Sequence, residues 1–235
     1  MPRVVKEDDY AARRNEILDV ARQLVYTKGY EQMSIQDILD ALKMSKGAFY
    51  HYIDSKQALL DGLVERMLEE ADQVMSPILD AKNLTALEKM KRYLDTGSRW
   101  KADRKDFLRD LMRVWYNDSN ALIRQKQEAA IIKHFTPKLA EIIRQGVAEG
   151  VFSTKYPDQF ASTMLGLSRG FEDKVVSLLL TERPPPDALE QLEAAIGAYS
   201  ESLERILGAP PGSLPLGDVD VLKEWLEVPV NETRS

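Results

Sequence analysis

Lysine and serine side chains gather between residues 43 and 56, where they could bind an anion. This segment holds Lys43, Lys46 and Lys56 against a single acid, Asp54. The whole chain of 235 residues has a net charge of −6, so these lysines form a local basic region on an acidic protein. Such a region predicts a focused contact, such as one face of a dimer on a phosphate backbone, rather than a general coat of positive charge.

Helix starts in the same segment add to this anion chemistry. Ser45 and Ser55 each precede a helical pattern, and the unpaired N–H groups at a helix start can bind phosphate. Lys56 at a helix start opposes the helix dipole, which argues against a purely structural role and favours a phosphate partner. Gly47 permits close approach to a ligand but has no side chain of its own.

The residues for other chemistries are missing. The chain has no cysteine, which removes disulfides, thiolate nucleophiles and cysteine-based metal sites. Its two histidines are too few for a metal centre, and we interpret His134 as a satisfied interior or surface residue. There is no G-x-S-x-G motif and no phosphate loop. We therefore expect no enzyme activity, no metal and no cofactor.

The composition favours a globular protein with a sizeable core. Hydrophobic residues make up 44% of the chain and charged residues 30%. No apolar run reaches the roughly 20 residues needed to span a bilayer, and the first ten residues carry three acids where a signal peptide would be apolar. The sequence therefore predicts a soluble cytoplasmic protein without a membrane partner.

Helical periodicity dominates the chain and predicts an all-α fold. The first helix is predicted from about Tyr10 to Thr27, with Gly29 as its left-handed cap. Ser34 and Asp37 form the S-x-x-D capping pattern of a short second helix, and a third helix follows from Lys46 to about Tyr52. The predicted core face of the first helix comprises Ile17, Ala21, Leu24 and Val25.

Two short helices joined by a tight turn are typical of a helix-turn-helix unit, whose second helix enters a DNA major groove. The side chains of the third helix divide into two sets. We expect the core to take Met44, Phe49, Tyr52 and Ile53. We expect Lys46, Gly47, Tyr50 and His51 to face outward.

Residues 13–64, and above all SKGAFYHYIDSKQALL from Ser45 to Leu60, resemble the DNA-binding module of the TetR/AcrR family of bacterial transcriptional regulators. The resemblance implies a homodimer that binds an operator through three N-terminal helices and a small-molecule effector through a larger C-terminal helical domain. The residues that match the DNA contacts of the family are Ser34, Ser45, Lys46, Gly47, Tyr50, His51 and Lys56. Lys43 departs from the glycine usual in the turn, Ile53 from a phenylalanine and Leu39 from an alanine.

The remaining helices are predicted from their periodicity and from the proline and glycine residues between them. A fourth helix starts at Lys56 and ends at Pro77, which should forbid its continuation. The later predicted spans are about 84–101, 104–116, 119–149, 157–181 and 186–207. We expect Pro137 to kink or divide the third of these, Gly150 to cap it, and Pro184, Pro185 and Pro186 to separate the last two. The segment APPGSLPLGD is interpreted as a linker before a short amphipathic piece around Val221, Leu222, Trp225 and Leu226.

These spans predict a helix-turn-helix domain at 1–56, a connecting helix at 57–76, an effector-binding and dimerisation domain at 77–208 and a tail at 209–235. Large apolar groups and two charged anchors are the candidates for an effector pocket, although most such residues form core. They are Trp100, Phe107, Met112, Trp115, Tyr116, Phe135, Met164, Arg169, Phe171 and Glu172.

The last two long helices are predicted to pair with those of a second copy as a four-helix bundle. Glycines one turn apart inside a helix suggest close approach of another helix, either from a partner or from the same subunit. The candidate interface residues are Ser162, Gly166, Gly170, Ala188, Ala195, Ala198 and Ser202. The sequence therefore predicts a ligand-responsive repressor, with a helical interaction protein whose DNA-binding module is degenerate as the alternative.

Overall fold

A computed structural model describes residues 2–117, 121–181, 185–216 and 219–226. Within these ranges the regular elements are α-helices, which confirms the predicted all-α class. They are α1 (Pro2–Lys28), α2 (Ile35–Leu42), α3 (Lys46–Tyr50), α4 (Lys56–Asp80), α5 (Ala86–Ala102), α6 (Lys105–Trp115), α7 (Ala121–Ala148), α8 (Pro157–Leu179), α9 (Ala188–Leu207) and α10 (Val219–Leu226). None of the helices in these ranges is both long and apolar enough to cross a membrane.

The first helix is longer than predicted. It begins at Pro2 instead of Tyr10, because proline is well tolerated in the first helical turn and no helix-breaking residue follows it. Gly29 ends this helix with a φ of 81°, and Gly150 has a φ of 76°, so both adopt the predicted left-handed conformation. Some predicted segments lie outside the described residues, namely Pro184, residues 119–120 of the predicted 119–149 span, and residues 217–218 and 227–235 of the predicted tail.

One compact unit comprises Met1–Glu70 and Asp106–Gln127. Ile17, Ala21 and Val25 are fully buried in it, as predicted, whereas Leu24 is half-buried and Leu18 occupies the core instead. Three ion pairs join α1 to the first part of α4. They are Arg14–Glu65 at 3.3 Å, Asp19–Arg66 at 2.6 Å and Arg22–Glu70 at 2.5 Å. These contacts hold α1 against the start of α4.

The other compact unit comprises Ala71–Lys105 and Glu128–Ser235. Its core is an apolar cluster from α4, α5, α7, α8, α9 and the segment that follows α9. The fully buried members include Met90, Leu139, Ile142, Ile143, Leu203, Leu207 and Leu214. Asp72 on α4 accepts hydrogen bonds from α7, where it lies 2.6 Å from His134 Nε2 and also pairs with Lys138. His134 is therefore a satisfied residue, as predicted. The predicted domain boundaries remain predictions.

Two prolines lie inside continuous helices, which corrects the predicted end of the fourth helix at Pro77 and the predicted division of a helix at Pro137. Pro77 lies inside α4, which continues to Asp80, and Pro137 lies inside an undivided α7. A proline removes one backbone donor, but its fixed φ is helical, so packing can sustain the helix around it. The end of α4 is held in this way, because Leu79 packs on the apolar cluster and its carbonyl accepts a 2.7 Å hydrogen bond from Lys89 Nζ.

Residues 209–216 of the segment interpreted as a linker are instead packed against α9. Leu214 is fully buried, and the buried Glu204 carboxylate accepts hydrogen bonds from the backbone N–H groups of Gly212 at 2.8 Å and Leu214 at 2.7 Å. Farther along, α10 forms the predicted amphipathic piece, with Trp225 buried. Residues 209–216 are therefore part of the fold.

Candidate nucleic-acid interface

A complete capping box starts α2. The Ser34 hydroxyl accepts a hydrogen bond from the N–H of Asp37, while the Asp37 carboxylate accepts from both the N–H and the hydroxyl of Ser34, each at 2.9 Å. Lys28 Nζ lies 2.6 Å from the same carboxylate. Bonding to Lys28, followed by bonding to Ser34, lowers the pKa of Asp37 to about 2. The Ser34 hydroxyl thus already has two intramolecular partners.

The turn between α2 and α3 contains a lysine in the left-handed conformation. Lys43 has φ 51° and ψ 41°, and among the described residues it is the non-glycine with positive φ. The turn is closed by a 3.0 Å hydrogen bond from the N–H of Met44 to the carbonyl of Leu39. The chain therefore keeps the geometry for which glycine is usual, at a cost of about 1 kcal/mol.

The third helix is short and is anchored on one side. Its N-cap is Ser45, whose hydroxyl accepts a 3.2 Å hydrogen bond from the N–H of Ala48. Phe49 and Ile53 are buried, while Met44 and Tyr52, which we expected in the core, are half-buried. The four residues predicted to face outward are all exposed. They are Lys46, Gly47, Tyr50 and His51.

Gly47 lies in open space. An added Cβ at this position would meet no atom within 4 Å. Packing among the described residues therefore does not require a glycine here. Its lack of a side chain leaves the backbone of α3 open to whatever binds there.

Lys56 differs from the other lysines of the region because the chain itself binds its ammonium group. Its Nζ donates to the carbonyl of Glu31 at 3.2 Å and lies 4.7 Å from the centre of the Tyr30 ring. Tyr30 in turn donates a 3.0 Å hydrogen bond to the Lys56 carbonyl, and burial raises the pKa of this tyrosine to about 12. Partial burial also lowers the pKa of Lys56. Lys56 therefore has structural contacts, and its phosphate contact stays a prediction.

Sequence reasoning missed Tyr10, which contacts the C-terminal end of α3. Its hydroxyl lies 3.4 Å from the carbonyl oxygens of both His51 and Tyr52. No periodic pattern could reveal this contact, because the partners are more than forty positions apart in the chain.

The candidate pocket residues are divided between the two compact units. Phe107, Met112, Trp115 and Tyr116 belong to the first, and the other six belong to the second. Phe107 packs against Tyr26 with 5.2 Å between ring centroids. The proposed polar anchors already have partners, because Arg169 pairs with Glu128 and Glu172 pairs with Lys101. In the second unit, Trp100 and Met164 are buried, whereas Phe135 and Phe171 are half-buried.

The candidate dimer residues differ in exposure. Ser162, Gly166 and Gly170 are exposed on α8, and an added Cβ at either glycine would meet no atom within 4 Å. On α9, Ala198 is exposed, and Ala195 and Ser202 are half-buried. Ala188 is buried in a small apolar cluster with Leu178 and Leu192, so it packs within its own chain.

Family models match two separate stretches of the chain. The model of bacterial regulatory proteins of the tetR family matches residues 17–63. A model of the tetracycline repressor-like C-terminal domain matches residues 109–179. The two matches together span about half of the sequence. The chain belongs to the TetR family. The first match covers α2 and α3 completely, so the predicted helix-turn-helix is the DNA-binding module characteristic of this family of transcriptional regulators, which are not enzymes.

Curated relatives of this TetR-family chain include named repressors. The HTH-type transcriptional repressor Rv1474c of Mycobacterium tuberculosis is 38% identical over 76 residues, which cover 32% of this chain and 40% of that protein. The HTH-type transcriptional repressor KstR2 of Rhodococcus jostii is 33% identical over 60 residues, which cover 26% of this chain and 29% of that protein. The matches therefore span less than half the length of these relatives.

Solved structures extend the similarity in fold to most of the chain. A TetR-family regulator of Pectobacterium atrosepticum aligns with a TM-score of 0.61 at 18% identity, covering 86% of this chain and 98% of that one. GusR of Salmonella enterica aligns with a TM-score of 0.56 at 17% identity, covering 83% and 95%. At identities of 17–18%, these alignments show that the fold is shared.

Proposed function

We propose that this TetR-family regulator is a ligand-responsive repressor that binds a palindromic operator as a homodimer and is released by a small-molecule effector. The exposed side of α3 carries the proposal. Lys46 and His51 supply hydrogen-bonding groups there, while the buried Phe49 anchors the opposite side of the helix. A helix with this division can enter a major groove, where base edges present a distinct pattern of donors and acceptors.

Two copies are needed because one short helix reaches only a few base pairs. The exposed glycines of α8 support a second copy as the partner, since an added Cβ at either would meet no atom of the described residues within 4 Å. In a symmetric dimer the two α3 helices would lie about 34–36 Å apart, which is one turn of the DNA double helix, or a small multiple of that distance apart. The operator should then consist of two half-sites related by two-fold symmetry.

Selection of bound duplexes from a random DNA pool tests the proposal directly. We expect a two-fold symmetric consensus, and a selected site without symmetry would contradict the dimer. Failure to select any sequence would favour the degenerate module instead. The alanine variant of Lys46 should change the base preference, whereas alanine at the exposed Lys155, which lies outside the helix-turn-helix, should leave it unchanged.

Lys56 tests the phosphate contact separately. Lys56→Met removes the ammonium group, which lies 4.7 Å from the centre of the Tyr30 ring, and keeps an unbranched apolar side chain in its place. We expect the variant to bind all sequences more weakly by the same factor, with a salt dependence flatter by about one unit of slope. A change in base preference would show that Lys56 acts on α3 rather than on phosphate.

The effector is proposed to bind a largely apolar pocket within about residues 84–180. An effector that lowers operator affinity must itself bind more weakly, by the same factor, when the operator is saturating. Screening a small-molecule library for release of the selected duplex would find such a compound. Effector binding that is unchanged by saturating duplex would contradict a coupled regulator.

A further inference from the structure

Three rings close around the C-terminal end of α3, and one of them comes from α1. The Tyr10 hydroxyl donates a long, shared hydrogen bond to the carbonyl oxygens of His51 and Tyr52. The Tyr10 ring meets the His51 imidazole edge-on, with 5.8 Å between centroids, and lies 5.0 Å from the Tyr52 ring. The rings of His51 and Tyr52 are themselves 5.0 Å apart.

We infer that Tyr10 is a positioning residue for DNA recognition, which holds the end of α3 and the His51 imidazole in the orientation that meets the bases. The inference rests on the proposed operator binding. It assigns to the N-terminal helix a part in base preference, a role that neither the family match at residues 17–63 nor the sequence pattern gives to Tyr10.

The length of α3 explains why it needs such a clamp. The helix has five residues and is therefore only about 7.5 Å long. The carbonyl groups at the end of a helix lack partners within the helix, and a side chain can supply them. Phe49 and Ile53 fix the inner side of this segment. Tyr10 acts at its end, where a small rotation would move the exposed His51 side chain.

The contact is selective for this end of the helix. The partners of Tyr10 are the backbone oxygens and rings of His51 and Tyr52, and not the side chains of Lys46 or Tyr50 at the outer surface. Tyr10 itself is 39% exposed, so its ring could also touch DNA directly. A positioning residue acts through His51, whereas a direct contact acts independently of it. This difference can be measured.

The first experiment tests the clamp without DNA. The chain has two histidines, so the imidazole Cε1–H region of the proton spectrum contains one signal from His51 and one from His134. Tyr10→Leu, which removes the aromatic ring, should shift the His51 signal and leave His134 unchanged. Tyr10→Phe keeps the ring and should shift it less. Tyr156→Leu, at an exposed tyrosine before α8, is the matched control and should move neither signal. An unmoved His51 signal in Tyr10→Leu would overturn the clamp.

The second experiment tests the effect on recognition with the full chain and the random duplex pool. Tyr10→Leu should relax base preference at the positions that His51→Ala relaxes, by about tenfold in the ratio of selected to non-specific binding. Its affinity for non-specific duplex should stay within about twofold of wild type, since phosphate contacts dominate that binding. The double variant should bind no worse than His51→Ala alone.

The outcomes separate the inference from the proposed function. If the wild-type chain selects no sequence, the proposed function fails and the inference about recognition fails with it, whatever the spectra show. If wild type selects a site and Tyr10→Leu keeps the same preference, only the positioning role is overturned. Additive losses in the double variant would instead assign a direct DNA contact to Tyr10. Thermal unfolding of each variant confirms that the loss is not one of folding.

Discussion

Individual polar residues of the helix-turn-helix divide into those that the chain already uses and those that remain available to a partner. Ser34 and Asp37 bond each other, and Lys56 is held by Tyr30 and Glu31. Lys46 is exposed, and no such contact is seen for it within the described part of the chain. The sequence places all of these side chains in one group, whereas their roles depend on whether a neighbour satisfies them.

Lys43 offers a test of stored backbone strain. Because this lysine has a φ of 51°, Lys43→Gly should raise the free energy of unfolding by about 0.5–1 kcal/mol, since glycine adopts the left-handed conformation without steric cost. Urea denaturation measures the change. The exposed Lys133, within α7, is the matched control, because glycine there should lower stability by about 1 kcal/mol. A loss of stability in both variants would contradict the strain.

Asp37 predicts a pH dependence of stability. Its pKa is lowered from 3.8 to about 2 in the folded chain, so its contribution is fully present above pH 3.8 and is lost as the pH falls through about 2. The difference in urea midpoint between wild type and Asp37→Asn should therefore shrink over this range. Lys28→Met removes the largest cause of the shift and should move the transition to higher pH. A difference that stays constant from pH 5 to pH 2 would refute the assignment.

At the scale of elements, α4 and α7 are joined by a charged cluster as well as by apolar packing. Asp72 is the acceptor for both His134 and Lys138, and the two side chains of α7 lie 3.0 Å from each other. One half-buried carboxylate thus contacts two nitrogen groups. The cluster joins α4 to α7 within the second compact unit.

Removal of the shared acceptor should therefore be costly. Asp72→Ala is expected to lower the free energy of unfolding by about 1–3 kcal/mol, because it leaves two half-buried nitrogen groups without their partner. Glu69→Ala, at an exposed carboxylate of the same helix, should change stability by less than about 0.5 kcal/mol. Equal effects of the two substitutions in denaturant titrations would show that the cluster is only a surface ion pair.

At the scale of the whole molecule, the second compact unit buries its own core and still presents small residues on α8. Phe171 and Tyr199 stack with 5.3 Å between centroids, which joins α8 to α9 within one chain. Gly166 and Gly170 lie away from these internal contacts. The contacts seen among the described residues do not use these two glycines, and their surface is where a second copy is proposed to dock.

Gly166→Glu tests that surface. An added Cβ at Gly166 would meet no described atom within 4 Å, so we expect the variant to fold. It should sediment as a monomer and bind the selected duplex weakly. Lys155→Glu changes charge at an exposed site outside the helices and should stay dimeric. Dimers of Gly166→Glu at the wild-type dissociation constant would move the interface elsewhere.

Local patterns determined much of the structure, because helix caps and left-handed turns depend on residues within one or two turns of each other. The capping box at Ser34, the caps at Gly29 and Gly150, and the outward side of α3 follow from such short-range rules. The all-α class follows from the helical periodicity of the apolar residues. The resemblance to the DNA-contacting residues of the family depended mainly on the contiguous run from Ser45 to Leu60, which is why it was visible in the sequence.

Only the tertiary structure decided the features that depend on distant residues. Packing carries α4 through Pro77, and Glu204 folds the supposed linker against α9 by bonds to residues eight and ten positions away. Tyr30 and Glu31 bind Lys56 from about 25 positions earlier in the chain. Tyr10 reaches His51 across 41 positions. These contacts leave no period in the sequence, because the partners are brought together by the core between them rather than by the geometry of one helix.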